Sequence, residues 1–222
     1  IAYPFLMSIY LSVSSARVGS PDSHFVGLLN YQRLFADPTF WQTVRNSFVF
    51  TFGSEIIRLV IGLPLAFALN RTFKGKRLVQ GLILIPFVIP IALSSLAWKW
   101  MFDSLYSVIN WMLMRVGIID YPWQWLGEPG LAMWSVIILN VWRGFPFSAV
   151  ILLAGLTAVP QEIIEAAKID GAGPLRRVHY VVVAIIRPIL FVGLLYSIVF
   201  SFTDFSAVWL LTQGGPYNTT HV

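Results

Sequence analysis

Five apolar runs dominate the chain, and most are long enough to cross a membrane as a helix. They lie at about residues 1–15, 45–69, 78–102, 131–158 and 181–205. A spanning helix requires about 20 largely apolar residues, so we expect the first run to be a span that has been cut short. Hydrophobic residues form 57% of the sequence and charged residues 11%, whereas a soluble domain carries about 25% charged residues. The sequence therefore predicts an all-α integral membrane protein, a bundle with five visible transmembrane helices.

Basic residues are concentrated in two of the four connectors between these runs. Connectors 70–77 and 159–180 together hold seven lysines and arginines against three acids, whereas connectors 16–44 and 103–130 hold three against five. Lysine and arginine are enriched in cytoplasmic loops. The first pair of connectors is therefore predicted to face the cytoplasm and the second pair the outside. Five spans then leave the C-terminal end outside, which predicts a sixth helix beyond Val222.

Composition excludes several kinds of site. The chain has no cysteine, which excludes disulfides, thiol catalysis and zinc-thiolate centres. Its three histidines are scattered through connectors and form no Ser-His-Asp or HExxH arrangement, so neither a metal site nor an enzyme is predicted. The formal net charge of +5 comes from basic residues between apolar runs, which favours contact with the lipid bilayer over a nucleic-acid partner.

Residues 160–178 form a polar loop between two apolar runs, and their sequence predicts a short helix. Pro160 suits the first helical position, where its missing N–H costs nothing. Gly171 follows Asp170 where a left-handed residue would end the helix, and Pro174 opens the next one. A helix of about two to three turns is unstable alone in water. We therefore expect a partner to pack on it.

The same loop carries a family pattern. Glu165-Ala166-Ala167, followed after three residues by Gly171, resembles the cytoplasmic EAA loop of type I ABC-importer permeases. The family pattern continues nine residues later with Ile-x-Leu-Pro, where this chain has Val-Val-Val-Ala. Ala184 therefore stands where the family has proline, and the resemblance leaves the bend at this point undecided.

Three further segments resemble the carbohydrate-importer subgroup of these permeases, which includes sugar and glycerol-phosphate permeases. They are the Gly214-Gly215-Pro216 motif within residues 211–219, the Leu29-Asn30-Tyr31 motif ahead of Phe35, and residues 142–147. Together with the EAA loop they extend the resemblance over nearly the whole chain.

The resemblance implies that this chain is one subunit of a larger complex. Loop 160–180 would contain the cytoplasmic coupling helix, within a permease domain at 45–222 that follows a first helix and outer loop at 1–44. The implied partners are two ATPase subunits, a second homologous permease and an extracytoplasmic solute-binding protein, in the inner membrane of a bacterial or archaeal cell. The residues implied in ATPase coupling are Glu162, Glu165, Ala166, Ala167, Asp170 and Gly171. Those implied in contact with the binding protein are Gly214, Gly215 and Pro216.

No nucleotide site is predicted on this chain. The Walker A loop needs G-x-x-x-x-G-K-[ST]. The single Gly-Lys pair, Gly75-Lys76, is followed by Arg77 and has no glycine five residues before it. ATP and magnesium are therefore expected on the partner ATPases, with no cofactor on this chain.

Charged side chains inside apolar runs are costly and usually functional. Glu55 and Arg58 are three residues apart, so they are predicted to form a structural ion pair on one helix face. Arg143 has two open alternatives: it binds sugar hydroxyls or a phosphate, or it pairs with Glu55 or Asp204. The candidates for the translocation path are Asn140, Arg143, Ser148, Tyr196, Ser201 and Asp204.

Two functions are compatible with these residues. The favoured one is the permease subunit of an ATP-driven importer, forming half of the path for a sugar or sugar-like solute. The alternative is a secondary transporter or channel in which Glu55, Arg143 and Asp204 couple protons or ions. Inverted repeats with paired broken helices would favour the alternative, and none is visible in the sequence. Maltose-like disaccharides, other glycosides and glycerol phosphate all remain compatible as solutes.

Overall fold

A computed structural model of the chain describes residues 2–17 and 23–222. Over these residues the secondary structure is helical, apart from an isolated antiparallel bridge between Ser14 and Phe25. Asp22, one of the acids counted toward the outward-facing connectors, lies outside the described residues, as does Ile1. The chain divides into two compact units, Ile1–Arg45 and Asn46–Val222. The all-helical prediction is confirmed.

The first unit holds two short helices and the beginning of a long one. They are α1 (Ala2–Ser12), α2 (Leu29–Ala36) and the first turns of α3 (Pro38–Asn70). Helix α1 has 11 residues, which at about 1.5 Å per residue is about half of the hydrocarbon thickness. The Asn30 side-chain amide donates hydrogen bonds to the carbonyls of Ser12 and Ser14, at 3.0 and 2.9 Å, and so connects α2 to the end of α1.

Three described helices are long and apolar enough to cross a membrane. Helix α3 has 33 residues, and the second helix, Pro129–Thr157, has 29. The third runs over Pro174–Phe202 and also has 29 residues. Each contains an internal proline, namely Pro64, Pro146 and Pro188. Membrane helices tolerate such prolines because neighbouring helices and side chains satisfy the freed backbone groups.

The run at 78–102, predicted to be one span, is broken. Helices α4 (Lys76–Ile83) and α5 (Ile85–Val88) are followed by α6 (Ile91–Met101), and the two halves meet at 88°. Ile89 is extended, with φ −65° and ψ 130°, because a residue before proline is disfavoured in the helical region and Pro90 has no N–H to donate. The described residues therefore contain three candidate spans, or four if the bent pair is one span. The five-span count stays a prediction.

The shorter helices follow their sequence signals closely. Helix α7 (Val108–Arg115) follows the bent pair, with the Ser107 hydroxyl accepting from the Asn110 N–H at its start, and α8 is the long helix Pro129–Thr157. Helix α9 (Gln161–Ile169) begins one residue later than predicted, with Pro160 as its N-cap. Gly171 has φ +77°, which confirms the predicted left-handed end.

The last membrane-length helix is continuous past the position where the family has proline. It comprises α10 (Pro174–Arg176), a π-helical segment (Arg177–Val182) and α11 (Val183–Phe202). Ala184 lies inside α11, and the backbone on both sides of it is helical. The sequence left a bend at this point undecided, and the structure shows uninterrupted helix. The final helix, α12, is Phe205–Leu211.

Two apolar clusters hold the second unit together, and α8 contributes to both. One cluster surrounds Phe50, Phe102 and Ile137, and the other surrounds Leu152 and Ile186. The α8 segment between the two clusters, residues 143–148, contains an arginine, a glycine and a serine. The two apolar clusters pack against α8 on either side of this segment and so position its polar residues in the middle of the helix.

Candidate functional site

Arg58 of α3 connects three helices from a buried position. Its side chain is 4% exposed. One terminal nitrogen donates to the hydroxyls of Ser197 and Ser201 on α11, at 3.1 and 2.8 Å. The other donates to the backbone carbonyl of Asn140 on α8, at 2.9 Å, and to the side-chain oxygen of the same residue. This arginine therefore joins α3, α8 and α11 through hydrogen bonds.

Glu55 supplies the negative charge that compensates Arg58. Their side chains approach to 3.5 Å on consecutive turns of α3, and both are almost completely buried. The Ser197 hydroxyl donates to the Glu55 carboxylate while accepting from Arg58. The predicted structural ion pair is confirmed. Its additional hydrogen bonds satisfy the condition under which a buried pair is tolerated.

Gly144 provides the space that the Arg58 guanidinium occupies. A Cβ atom built on Gly144 would overlap the Cζ and Nε atoms of Arg58. Any side chain at this position would therefore displace the guanidinium. This close approach lies within residues 142–147, the segment that resembles the carbohydrate-importer permeases.

Arg143 pairs with Asp204 rather than with Glu55. Its terminal nitrogen lies 3.2 Å from the Asp204 carboxylate, which also accepts a hydrogen bond from the Asn140 side chain at 3.3 Å. The second carboxylate oxygen of Asp204 accepts from the backbone N–H of Ala207, at 3.4 Å, and so caps the start of α12. Of the alternatives for Arg143, pairing is therefore observed, and solute binding stays a prediction.

A cleft opens beside the two arginines, between α3, α5, α8 and α11. It encloses about 380 Å³ including its open side. The residues that line it are Arg58, Phe87, Arg143, Gly144, Phe147, Tyr196, Ser197 and Phe200.

The aromatic rings of the cleft form a continuous row. Phe87 stacks on Phe147 at 5.4 Å between ring centroids, and Phe147 lies 5.3 Å from Tyr196. Tyr196 stacks on Phe200 at 6.1 Å, and the Arg143 guanidinium lies 5.6 Å from the Phe200 ring centre. The cleft thus combines an aromatic wall with guanidinium groups.

Both guanidinium groups retain an unused donor. The Nε atoms of Arg58 and Arg143 are buried and have no acceptor among the residues that the structure describes. Buried donors are usually satisfied by protein or by ordered water. Both arginines line the cleft, and Arg143, which is 20% exposed, is the one that a molecule there can reach.

Most of the predicted path residues come together here, and one does not. Asn140, Arg143 and Asp204 contact one another, while Ser201 contacts Arg58 and Tyr196 lines the cleft. Ser148 instead lines a neighbouring cleft beside Glu55, more than a helical turn further along α8. Sequence reasoning missed four residues of the site, which are Phe87, Phe147, Ser197 and Phe200. It also assigned Arg58 to the ion pair alone, although an arginine inside an apolar run was a signal of wider contacts.

The loop predicted to couple to an ATPase presents α9 on the surface. Glu162, Glu165 and Asp170 are exposed, and the side-chain amide of Gln161 donates to Glu165 at 3.2 Å. Ile164 packs against the second apolar cluster. Helix α9 contains no buried residue, and Ala166 and Gly171 are exposed while Ala167 is half-buried.

The Gly-Gly-Pro segment is a compact loop attached to α3. The Thr220 hydroxyl contacts the Thr212 hydroxyl and donates to the Gly215 carbonyl, both at 2.7 Å. The Asn46 side-chain amide donates to the carbonyls of Asn218 and His221, at 2.9 and 3.0 Å. Gly214 is buried with φ +84°, and Pro216 is half-buried. Contact of this loop with a binding protein stays a prediction.

Comparison with protein families gives one decisive match. Residues 58–221 match the family described as "Binding-protein-dependent transport system inner membrane component". The chain belongs to this family. As a binding-protein-dependent permease it is a membrane transport component rather than an enzyme, and the type I ABC-importer resemblance is confirmed. The family favours an importer over a secondary transporter or channel.

Individual relatives of this permease are transport subunits. It is 33% identical over 220 residues to the trehalose/maltose transport system permease protein MalF of Thermococcus litoralis, covering 99% of this chain and 74% of the relative. It is 32% identical over 219 residues to the sn-glycerol-3-phosphate transport system permease protein UgpA of Yersinia pestis, covering 98% and 73%. These relatives confirm the carbohydrate-importer subgroup, which the Gly-Gly-Pro motif and residues 142–147 resemble.

Solved structures show the same fold. A bacterial ABC transporter involved in the import of the acidic polysaccharide alginate matches with a TM-score of 0.79 and 20% identity, over 99% of this chain and 73% of that one. The MetNI methionine ABC transporter in inward-facing conformations matches with a TM-score of 0.57 and 23% identity, over 81% and 78%.

Proposed function

We propose that this permease forms half of the translocation path for a sugar or sugar-like solute, in an ATP-driven importer of a bacterial or archaeal inner membrane. The names of its relatives include a trehalose/maltose and a glycerol-3-phosphate permease. The aromatic cleft beside Arg58 and Arg143 is the proposed solute site.

The observation that carries this proposal is the combination of an aromatic row with two guanidinium groups that line the same cleft. Solute sites are mostly apolar clefts with a few convergent polar groups that fix orientation. Charged groups at membrane depth usually face a bundle interior or a water-filled path. Tyr196 is 53% exposed and Phe200 is 40% exposed. The cleft is therefore accessible from the surface of this chain, where a second homologous permease would complete the path.

Loop 160–180 is the proposed contact with a partner ATPase. Helix α9 is too short to be stable on its own, and its charged residues are exposed. Ile169 is 87% exposed and Leu175 is 86% exposed, which leaves apolar surface at the end of α9 for a partner. We assign this surface to one of two partner ATPases, which would bind ATP and magnesium. An extracytoplasmic solute-binding protein would deliver the solute, with Gly214, Gly215 and Pro216 in the contact region.

Uptake measurements with an Arg143 variant test the solute site. The complex is purified through a tag on this chain, reconstituted in liposomes, and supplied with ATP and its binding protein. Arg143→Ala should lower uptake of the transported solute about tenfold or more, since hydrogen bonds to charged groups contribute about 1.5–3 kcal/mol. Recovery of the ATPase with the complex should not change.

Arg115→Ala is the matched control, because Arg115 on α7 lies over the Trp111 ring at 5.5 Å, away from the cleft. It should transport like the wild type. Undiminished uptake by Arg143→Ala would remove the cleft from the proposed path, and absence of ATP-dependent uptake in the wild type would refute the importer assignment.

A further inference from the structure

The four ionisable groups at the cleft balance each other in charge. Arg58 pairs with Glu55, and Arg143 pairs with Asp204. Three of these side chains are at most 7% exposed, and Arg143 is 20% exposed. The group as a whole has two positive and two negative charges, so its formal net charge is zero.

The positive and the negative groups differ in whether they line the cleft. Both arginines line the cleft, whereas neither Glu55 nor Asp204 does. The carboxylates lie behind the guanidinium groups, with Asp204 held in place by Asn140 and by the N–H of Ala207. A molecule in the cleft therefore meets the guanidinium side of each ion pair, of which Arg143 is 20% exposed, while the charge of each guanidinium is already neutralised by its carboxylate.

We propose that Asp204 is a specificity-determining residue that restricts this cleft to uncharged, hydroxyl-bearing solutes. The inference rests on the proposed solute site. Because Asp204 neutralises Arg143, the guanidinium retains its hydrogen-bond donor but attracts an anion weakly. Hydroxyl oxygens of a neutral glycoside would accept from the exposed part of the Arg143 guanidinium without adding charge to the site.

An anionic solute would be disfavoured for a physical reason. It would bring a third negative charge close to Glu55 and Asp204, in a region of low dielectric where like charges repel strongly. Burying a charge that has no partner of its own is costly. The aromatic row adds a second requirement, since its three phenylalanine rings offer an apolar surface to the face of a sugar ring and no donor to a phosphate or sulfate. Discrimination between neutral and anionic solutes therefore depends on the negative charges of Glu55 and Asp204 as well as on the arginine donors.

Asp204→Asn isolates this role. Asparagine keeps an oxygen that can cap α12, and asparagine and aspartate are comparable N-caps, so the fold of this region should be maintained. The substitution removes only the negative charge beside Arg143. The matched variant Asp204→Glu keeps the charge.

The test uses the whole importer complex in lipid nanodiscs and two probes, trehalose and trehalose 6-phosphate. Binding is measured by equilibrium dialysis without the solute-binding protein, so that the selectivity of the binding protein does not contribute. The wild type should prefer trehalose by at least about tenfold. Asp204→Asn should reduce or invert this ratio by about tenfold or more, and Asp204→Glu should retain it. The melting temperature of each complex checks that the variants fold.

Three outcomes would overturn the inference: stronger binding of trehalose 6-phosphate by the wild type, an unchanged ratio in folded Asp204→Asn, or no measurable binding of either sugar. ATP-dependent uptake is measured on the same purified complex after reconstitution in liposomes with its binding protein. If uptake is present but the preference is absent, the charge argument is wrong and the importer function stands. If uptake is absent, the proposed function itself is wrong.

Discussion

The Arg58 guanidinium lies directly against Gly144, at a position where a Cβ atom would overlap it. Gly144 immediately follows Arg143 on α8, so one short segment both provides space for one cleft arginine and contributes the other. The hydrogen bonds of Arg58 to α8 and α11 depend on this close approach. The geometry of the cleft therefore depends on the absence of a side chain at Gly144 as much as on the side chains that line it.

Gly144→Ala should destabilise the complex and reduce transport. The added methyl group must displace the guanidinium, and over-packing of this kind costs about 1–3 kcal/mol. The melting temperature of the purified complex and its ATP-dependent uptake measure both effects. Gly81→Ala is the control, since a Cβ at Gly81 of α4 meets nothing within 4 Å and alanine is the better helix former. Equal melting temperatures for Gly144→Ala and the wild type would contradict the overlap.

Glu55→Gln should lower the free energy of unfolding more than the removal of any surface charge does. It leaves Arg58 buried without its compensating charge, and breaking a buried pair in this way costs about 3–5 kcal/mol. Glu128→Gln serves for comparison, because Glu128 is exposed and its side chain makes no capping hydrogen bond. Thermal unfolding in detergent measures the difference. If the two variants unfolded alike, Glu55 would not be the charge that stabilises Arg58.

Gly171→Val should uncouple ATP hydrolysis from solute delivery. A β-branched residue is strained at φ +77°, by about 1–2 kcal/mol for a left-handed conformation, so the end of α9 should change shape. The complex should still assemble, while stimulation of its ATPase by the loaded binding protein should fall. Gly173→Val is closely matched, because Gly173 has φ −65° and ψ 165°, which valine adopts readily. Loss of stimulation in both variants, or in neither, would count against loop 160–180 as the coupling element.

Asn46→Ala should loosen the Gly-Gly-Pro loop. It removes the amide that donates to the carbonyls of Asn218 and His221, and each such hydrogen bond contributes about 0.5–1.5 kcal/mol. Amide hydrogen exchange of residues 212–221 should become faster, most clearly at the Thr220 N–H, which donates to the Gly214 carbonyl at 3.3 Å. Asn70→Ala, at the exposed end of α3, should leave this exchange unchanged. Unaltered exchange in Asn46→Ala would show that the loop is stabilised without α3.

Local sequence signals predicted several features of the fold and site. The spacing of Glu55 and Arg58 predicted their pairing, and Gly171 after Asp170 predicted the left-handed end of α9. The EAA pattern indicated the family that the comparison confirmed. Each of these signals involves residues within a few positions of one another, where helical geometry alone determines which side chains meet.

The break at Ile89 and Pro90 is also encoded locally, in a run that was predicted to be one span and that forms two helices, or one span with a bend. The apolar run 78–102 is continuous, and hydropathy does not distinguish a straight span from two helices that meet at 88°. The backbone restriction that proline imposes on the preceding residue decided the matter.

The chain's apolar runs, basic connectors and short motifs were sufficient to establish a membrane permease of the importer family, because these features depend on composition and on near neighbours in sequence. Which polar groups meet inside the bundle was decided only by the tertiary structure. Arg58 reaches Ser201 across 143 positions and Asn140 across 82, and Arg143 takes Asp204 rather than Glu55. Such partners are determined by how whole helices pack, and no local spacing in the sequence records that arrangement.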